Sequence, residues 1–280
     1  MKYVLKSKLA VVGFSIIAVV LIMCACARWV SPFDPQAFSS QQLHAPSTTH
    51  PLGTDSFGAD LLALILNAGF RTVGFAVVTL LFSAALGIPA GVIGGFVGGK
   101  TDMMLSRVVE VMLSFPVMVA ALLVIAVFGS TAGQTPLLLA ISVTLAPRFA
   151  RVMRGATLPL RETEFVMAAR AAGASRMRIL FRHLVPNLVA PILVLCSAYL
   201  PYVILLESSL SFLGLGAPPD MPTWGRLVAE GRKFFRTAPW AVFFPGAAIT
   251  LVAIGFNLLG DGLRDALDPH ARRKLVTGSR

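Results

Sequence analysis

Residues 164–187 read EFVMAARAAGASRMRILFRHLVPN, a basic, alanine-rich stretch placed between long runs without a single charged side chain. Its flanks decide the fold. The chain of 280 residues is 56% hydrophobic and only 13% charged, a balance outside the range of soluble globular domains. A transmembrane helix needs about 20 predominantly apolar residues to cross a hydrocarbon core roughly 30 Å thick. Five charge-free windows meet that need: Leu9 to Ala27, Thr72 to Val97, Val111 to Phe128, Val185 to Leu206 and Thr237 to Gly260. A sixth, Thr135 to Pro147, stops at Arg148 and spans if Phe149, Ala150 and Val152 continue the helix while the arginines snorkel. The fold predicted is an all-α integral membrane protein of six transmembrane helices, with the quoted stretch as a hairpin between the fourth and fifth.

Six spans put both termini on one side, and the basic residues say which. Eighteen of the 24 Lys and Arg residues fall on the face that holds the N-terminus, the 98–110 turn, the 148–182 segment and the tail. The other six are Arg28, Arg71, Arg226, Arg232, Lys233 and Arg236. The richer face is therefore read as cytoplasmic. On this reading the net charge of +11 expresses topology and affinity for anionic headgroups. No basic stripe with interleaved aromatics suggests a nucleic-acid partner. The organisation expected is a cytoplasmic N-terminus and first helix over 1–31, an outer loop over 32–71, a five-helix core over 72–262 containing a 156–184 loop and a 207–236 outer loop, and a cytoplasmic tail over 263–280.

Cys24, Cys26 and Cys196 lie within apolar runs and read as packing residues, with no spacing for a disulfide framework or zinc site. The Lys-rich opening and LIMCACA at 21–27 resemble a signal peptide with a lipidation box, but Met23 fits that box poorly and the run exceeds a usual h-region, so an uncleaved first helix is expected. Residues 94–101, GGFVGGKT, satisfy the phosphate-loop pattern letter for letter. A phosphate loop must follow a buried strand, whereas these residues follow a membrane span, so the glycines predict a tight cytoplasmic turn. HPLGTDSFGADLLALIL at 50–66 predicts a turn cluster followed by an interfacial helix. Gly214, Gly216, Pro218 and Pro219 predict a broken backbone, and prolines 89, 116, 191, 201 and 245 predict kinks within the spans.

Within the quoted stretch, Glu162 and Glu164 favour a helix N-terminus and Gly173 a left-handed stop, giving a short helix over roughly 163–172. Phe165, Ala168, Ala169 and Ala172 recur at helical spacing, so they predict one face that is small apart from its leading aromatic. Such a face suits docking into a protein groove; a helix made for lipid insertion offers large side chains instead. Ser175 predicts the cap of a second helix with Met177, Leu180 and Leu184 on its apolar side and Arg176, Arg178 and Arg182 elsewhere. Pro186 then opens the next span.

Glu164, Ala168, Ala169, Gly173 and Pro186 resemble the EAA loop of permease subunits from binding-protein-dependent ABC importers, with His183 and Val185 departing from the usual Ile and Leu. HPLGTDSFGADLL, SFLGLGAPP, TWGRLVAEGR and NLLGDGLRDALDP narrow the resemblance to the C-type subunit of the dipeptide, oligopeptide and nickel permease family. Ala59 stands where that family commonly has Arg, which puts a role of this position in gating or receptor contact in doubt. The resemblance covers nearly the whole chain. It implies that Glu164 to Arg182 includes a coupling helix docked on a cytoplasmic ATPase, with Glu164, Phe165, Ala168, Ala169, Ala172, Gly173 and Pro186 as the coupling residues. Two ABC ATPase subunits using ATP and magnesium, a homologous permease as heterodimer partner, an extracytoplasmic substrate-binding protein and a bacterial inner-membrane location are implied likewise. This chain itself is expected to hold no cofactor, metal or catalytic residue.

Glu207, Phe212, Gly214 and Gly216 form the candidate pathway or outer gate, because an ionisable group at a span end is a functional candidate; for Glu207 the alternatives are solvation or pairing with Arg226, Arg232 or Arg236. Asp261, Asp265 and Asp268 alternate with Arg264 and read as a solvated face or subunit contact. A secondary transporter needs intramembrane acids or histidines for coupling ions, and the clear spans hold none. An intramembrane enzyme needs a base at depth, yet the four histidines lie at 44, 50, 183 and 270. The cargo implied by the family is a peptide, with nickel or another small solute as the alternative; the sequence shows no His/Cys/carboxylate cluster to hold nickel directly.

Overall fold

A computed structural model describes residues 7–35, 37, 39–128, 134–216 and 221–267. In chain order the helices are α1 (Lys8–Ala25), α2 (Ala27–Val30), α3 (Leu61–Val97), α4 (Gly99–Ser114), α5 (Val117–Phe128), α6 (Thr135–Arg161), α7 (Glu164–Ala171), α8 (Arg176–Ile179), α9 (Val185–Phe212), α10 (Trp224–Gly231) and α11 (Trp240–Leu267). A π turn over Leu180–Leu184 joins α8 to α9. Five helical stretches are long and apolar enough to cross a membrane, and α4 with α5 makes a sixth if that bent pair is one span. The chain is a multi-helix membrane protein without named strands among the described residues.

Two expectations need correction. The third span is broken: α4 and α5 meet at 95°. Pro116 forces Phe115 into extended backbone (φ −84°, ψ 135°), so the helix ends there. Residues 61–71 form no separate interfacial helix. They are the first turns of α3, because Asp60 caps its N-terminus by accepting from Ala63 N at 2.8 Å. The weak fourth span continues past Arg148 as expected, in the 27-residue helix α6 that takes in Phe149, Ala150 and Val152.

The contacts divide the chain into two compact units, Met1–Val78 with Phe128–Leu138 and Ser197–Arg280, and Thr79–Val127 with Leu139–Cys196. In the first unit, α1 crosses α11 where Gly13 meets Gly255: a Cβ on Gly13 would lie 2.5 Å from the Gly255 carbonyl oxygen. Small residues there let two backbones touch, which lipid-facing helices need because the hydrophobic effect does not drive their association. Cys24 is buried and its sulfur packs against Gly69. The loop before α3 is tied by Ser31 Oγ donating to Asp60 at 3.1 Å and by His50 Nδ1 lying 2.9 Å from the same carboxylate.

The second unit depends on Gly87, Gly91 and Gly95, one helical turn apart on α3. A Cβ on Gly87 or Gly91 would overlap the carbonyl oxygen of Ala146 or Ala150 on α6, and one on Gly95 would sit 2.9 Å from Thr157 Cβ. Ser142 Oγ, on α6, donates to the Thr79 carbonyl on α3 at 3.2 Å. The GGFVGGKT stretch is the expected turn: Gly98 and Gly99 take φ of +71° and +58° between two helices.

Candidate functional site

The 164–184 hairpin is held by a small core of its own. Val166 on α7, Ile179 on α8 and Leu184 in the π turn close over Phe96 at the end of α3, with Leu160, Ala169, Ala174 and Leu180 around them. Arg161 straps the entry by donating to the Gly95 carbonyl at 3.0 Å. Asp102, in the first turn of α4, is paired with Arg154 on α6, whose Nη2 donates to Oδ2 at 2.7 Å. These groups fix the base of the hairpin and leave its tip free.

The tip is a Schellman turn. Gly173 has φ +79°, its amide donates to the Arg170 carbonyl at 3.0 Å and that of Ala174 donates to the Ala169 carbonyl at 3.0 Å. Ser175 caps α8 as expected, accepting from Arg178 N at 3.3 Å. Glu164, Phe165, Ala168, Ala172 and Gly173 are exposed. Ala169 departs from the expected face: it turns inward beside Val166, because Val166 is the apolar side chain that meets Phe96 and Ala169 follows it by one turn. The expected apolar side of the second helix shifts too. Met177 is 62% exposed and Ile179 is buried in its place, while Leu184 is buried and Leu180 packs beside it as expected. Pro186 explains the shift. It has no amide to donate to the Arg182 carbonyl, so the ladder widens to a π turn before it, and residues five apart come to share a face.

At the far end of α9, Glu207 is buried to 1% exposure. None of the three arginines weighed as partners reaches it: Arg226 pairs with Glu230, and Arg232 stacks 4.4 Å above the Phe212 ring. The carboxylate instead accepts from Ser211 Oγ at 2.8 Å and Thr223 Oγ1 at 3.0 Å, with Ser208 Oγ at 3.5 Å. Thr223 caps α10 through Arg226 N. Next to it Trp224, equally buried, donates its amide to Thr72 Oγ1 at 3.0 Å and its indole N–H to the Ile65 carbonyl at 2.8 Å. Gly214 (φ +83°) ends α9 with a second Schellman turn, and Gly216 packs against Ser211 so closely that a Cβ would overlap its hydroxyl. Pro218 and Pro219 lie outside the described residues. So does Asp268, while Asp261 and Asp265 are exposed on α11.

Ala59 lines a cavity of about 650 Å³ that also takes in Asp55, Arg71, Arg226 and Glu230. Burial pushes the Asp55 carboxyl above the ordinary carboxylate range, nearby Glu230 adds to the rise, and the amides of Ala59, Phe57 and Gly58 oppose it. Among the described residues no group of three or more His, Cys, Asp or Glu could hold a metal.

The family model for the inner membrane component of binding-protein-dependent transport systems matches residues 87–273. The chain belongs to this family. A second model, the N-terminal transmembrane domain of oligopeptide transport permease C, matches this permease over residues 1–46. It is 41% identical to the dipeptide transport system permease protein of Alkalihalophilus pseudofirmus over 273 residues, covering 96% of this chain and 88% of that one. Identity to the glutathione transport system permease protein of Pectobacterium atrosepticum is 36% over 267 residues, 95% and 88% of the two chains. A solved structure of the MetNI methionine ABC transporter in inward-facing form shares the fold, with TM-score 0.60 at 19% identity over 73% of the permease and 97% of that chain.

Sequence reading missed Val166, Ile179, Trp224 and the α3–α6 glycines. The glycines carried a legible signal, since Gly87, Gly91 and Gly95 repeat the small-residue spacing of close helix pairs within an apolar run. Trp224 carried a weaker one, a capping Thr223 before an apolar residue.

Proposed function

We propose that this permease forms half of the pathway of a di- or oligopeptide importer, beside a homologous permease. Two cytoplasmic ATPase subunits that bind ATP and magnesium drive it, and an extracytoplasmic substrate-binding protein delivers the cargo. Both termini and the 164–184 hairpin face the cytoplasm of a bacterium, in keeping with the Lys/Arg asymmetry. The peptide cargo rests on relatives named for dipeptide and glutathione transport.

The observation that carries ATP coupling is the unpartnered tip of the hairpin: Phe165, Ala168 and Ala172 present an exposed, mostly small face on α7, ended by Gly173, while Val166 and Ile179 lock the opposite side onto α3. A groove on the ATPase takes that face. ATP-driven closure of the ATPase pair pulls the hairpin, and its packed base passes the displacement to α3 and α6. Pro186 contributes by setting the π turn. At the other end Glu207, Phe212, Gly214 and Gly216 hold the segment that serves as outer gate.

The test is ATP-driven uptake of a labelled dipeptide into proteoliposomes carrying the assembled transporter, wild type against Gly173→Asp and Glu164→Lys. No atom lies within 4 Å of a Cβ built on Gly173, and Asp is among the few residues that visit the left-handed region. Gly173→Asp meets no neighbouring atom but strains a left-handed backbone, so intact assembly is the check on its fold, and Glu164→Lys, outside that turn, carries the docking test independently. Loss of uptake in both, with assembly intact, is expected; full uptake in both refutes the coupling role, and no wild-type dipeptide uptake refutes the cargo.

A further inference from the structure

A cavity of about 340 Å³ opens between the end of α3 and the two arms of the hairpin, lined by Phe96, Val97, Arg170, Ala174, Arg176 and Ile179. Its floor is apolar, from Phe96 and Ile179 of the hairpin core. Its rim holds two guanidinium groups from different elements, Arg170 in the last turn of α7 and Arg176 at the start of α8, brought together by the turn at Gly173. Neither enters an ion pair among the described residues.

Two facts locate this rim. The charge-free stretch of α3 from Thr72 to Val97 runs 26 residues. At about 1.5 Å each that is roughly 39 Å, so Val97 ends in the headgroup layer of a bilayer about 40–45 Å thick overall. On α7, at about 100° per residue, Arg170 points roughly opposite to the mean direction of Phe165, Ala168 and Ala172. Arg170 therefore faces away from the surface assigned to the ATPase, and Arg176 shares with it the cavity at the end of a membrane helix.

We propose that this cavity binds the phosphate of an anionic phospholipid. Arg170 and Arg176 hold its oxygens, as planar guanidinium groups do well, and the glycerol and first methylenes lie over Phe96 and Val97. Basic pockets at the cytoplasmic ends of membrane helices take anionic headgroups for this reason. The proposal rests on the cytoplasmic placement of the hairpin given above.

Native mass spectrometry of the assembled transporter, titrated with phosphatidylglycerol or phosphatidylcholine, tests it. Wild type is expected to retain phosphatidylglycerol preferentially. Arg170→Gln and Arg176→Gln each weaken retention about fivefold, and together about thirtyfold, at the strength typical of a basic residue near an anionic surface. Ala174→Phe, which fills the cavity with charge unchanged, lowers retention as well, and inorganic phosphate at millimolar concentration leaves the lipid bound. Equal retention in all variants overturns the proposal. Displacement by inorganic phosphate reassigns the site to a free anion and overturns it too. If the double variant sheds its ATPase subunits while keeping the lipid, the arginines belong to the ATPase contact and the proposal fails. Dipeptide uptake read on the same preparation is independent: its absence in wild type with lipid retained refutes the importer reading and leaves this site standing.

Discussion

Glu207→Leu is expected to destabilise the permease by about 1–3 kcal/mol, and Glu207→Gln to leave it as stable as wild type or more so. The magnitude comes from counting donors. Ser211 Oγ and Thr223 Oγ1 both give their protons to Glu207 Oε1. With leucine in place, Ser211 can rotate to the carbonyl of residue 207 one turn back, as Ser83 does to the Thr79 carbonyl at 2.8 Å. Thr223 has no such exit. It is fully buried and already accepts from Arg226 N, so its proton is stranded at about 1–3 kcal/mol. Glutamine keeps an Oε1 for both hydroxyls and turns its amide towards Ser208 Oγ, which can accept; it also removes the cost of enclosing a carboxylate that no Lys or Arg among the described residues pairs with. Denaturation in detergent micelles gives the ordering, and peptide uptake by both variants gives a second reading. A Gln variant as unstable as Leu refutes the hydroxyl-node reasoning. A stable Gln variant that transports nothing shows instead that the charge itself acts in the pathway.

Two further outcomes are expected. Gly91→Val drives a side chain into the Ala150 carbonyl and forces α3 from α6, costing about 1–3 kcal/mol or more, whereas Gly74→Ala, with nothing within 4 Å of its Cβ, is neutral or stabilising by up to about 1 kcal/mol; thermal unfolding of both in one detergent compares them. Asp55 supplies a pH test. Its folded carboxyl lies above the ordinary 3.8, so the folded state binds the proton more tightly and stability falls as pH rises from about that ordinary value through the raised one. Asp55→Asn keeps an oxygen for the amides of Phe57 and Ala59, so it is expected to flatten that slope and to match or exceed wild-type stability at neutral pH. An unchanged slope refutes the assignment.

The spans were legible because lipid imposes a length and forbids charge, and both are visible residue by residue. The break at Pro116 was half legible: proline announced a kink, but its 95° angle depends on the pre-proline geometry of Phe115. At the hairpin, Gly173 and Ser175 declared themselves because each meets a local backbone requirement. Ala169 and Met177 misled because a face drawn at ideal helical spacing cannot anticipate the π turn that Pro186 induces, nor which side Phe96 approaches from. Glu207 stands out in the sequence for its charge, yet its partners come from Ser211 on the next turn and from Thr223, sixteen positions on across a glycine-stopped turn. Hydroxyl donors leave no charge pattern to read, so arginine looked the natural partner.

The hairpin's division into a locked base and a bare tip bears on how a pull at α7 can be transmitted. A hairpin hinged loosely on α6 and α9 would swing and dissipate the displacement in its own loops. Here Val166, Ile179 and Leu184 are almost wholly buried against one another and Phe96, a close-packed contact that resists compression and shear. Arg161 fastens the end of α6 to the Gly95 carbonyl of α3, and the glycines above it hold those two helices at backbone contact. Displacing the tip must therefore move α3 and α6 with it or break packing that costs several buried apolar side chains. Within this unit the compliant element is the corner at Ser114–Val117, where Pro116 has already interrupted the hydrogen-bond ladder. On the proposed coupling role, a pull on α7 would reach the paired helices as a rigid displacement, and the bent α4–α5 pair would be the part of the unit to change its angle in response.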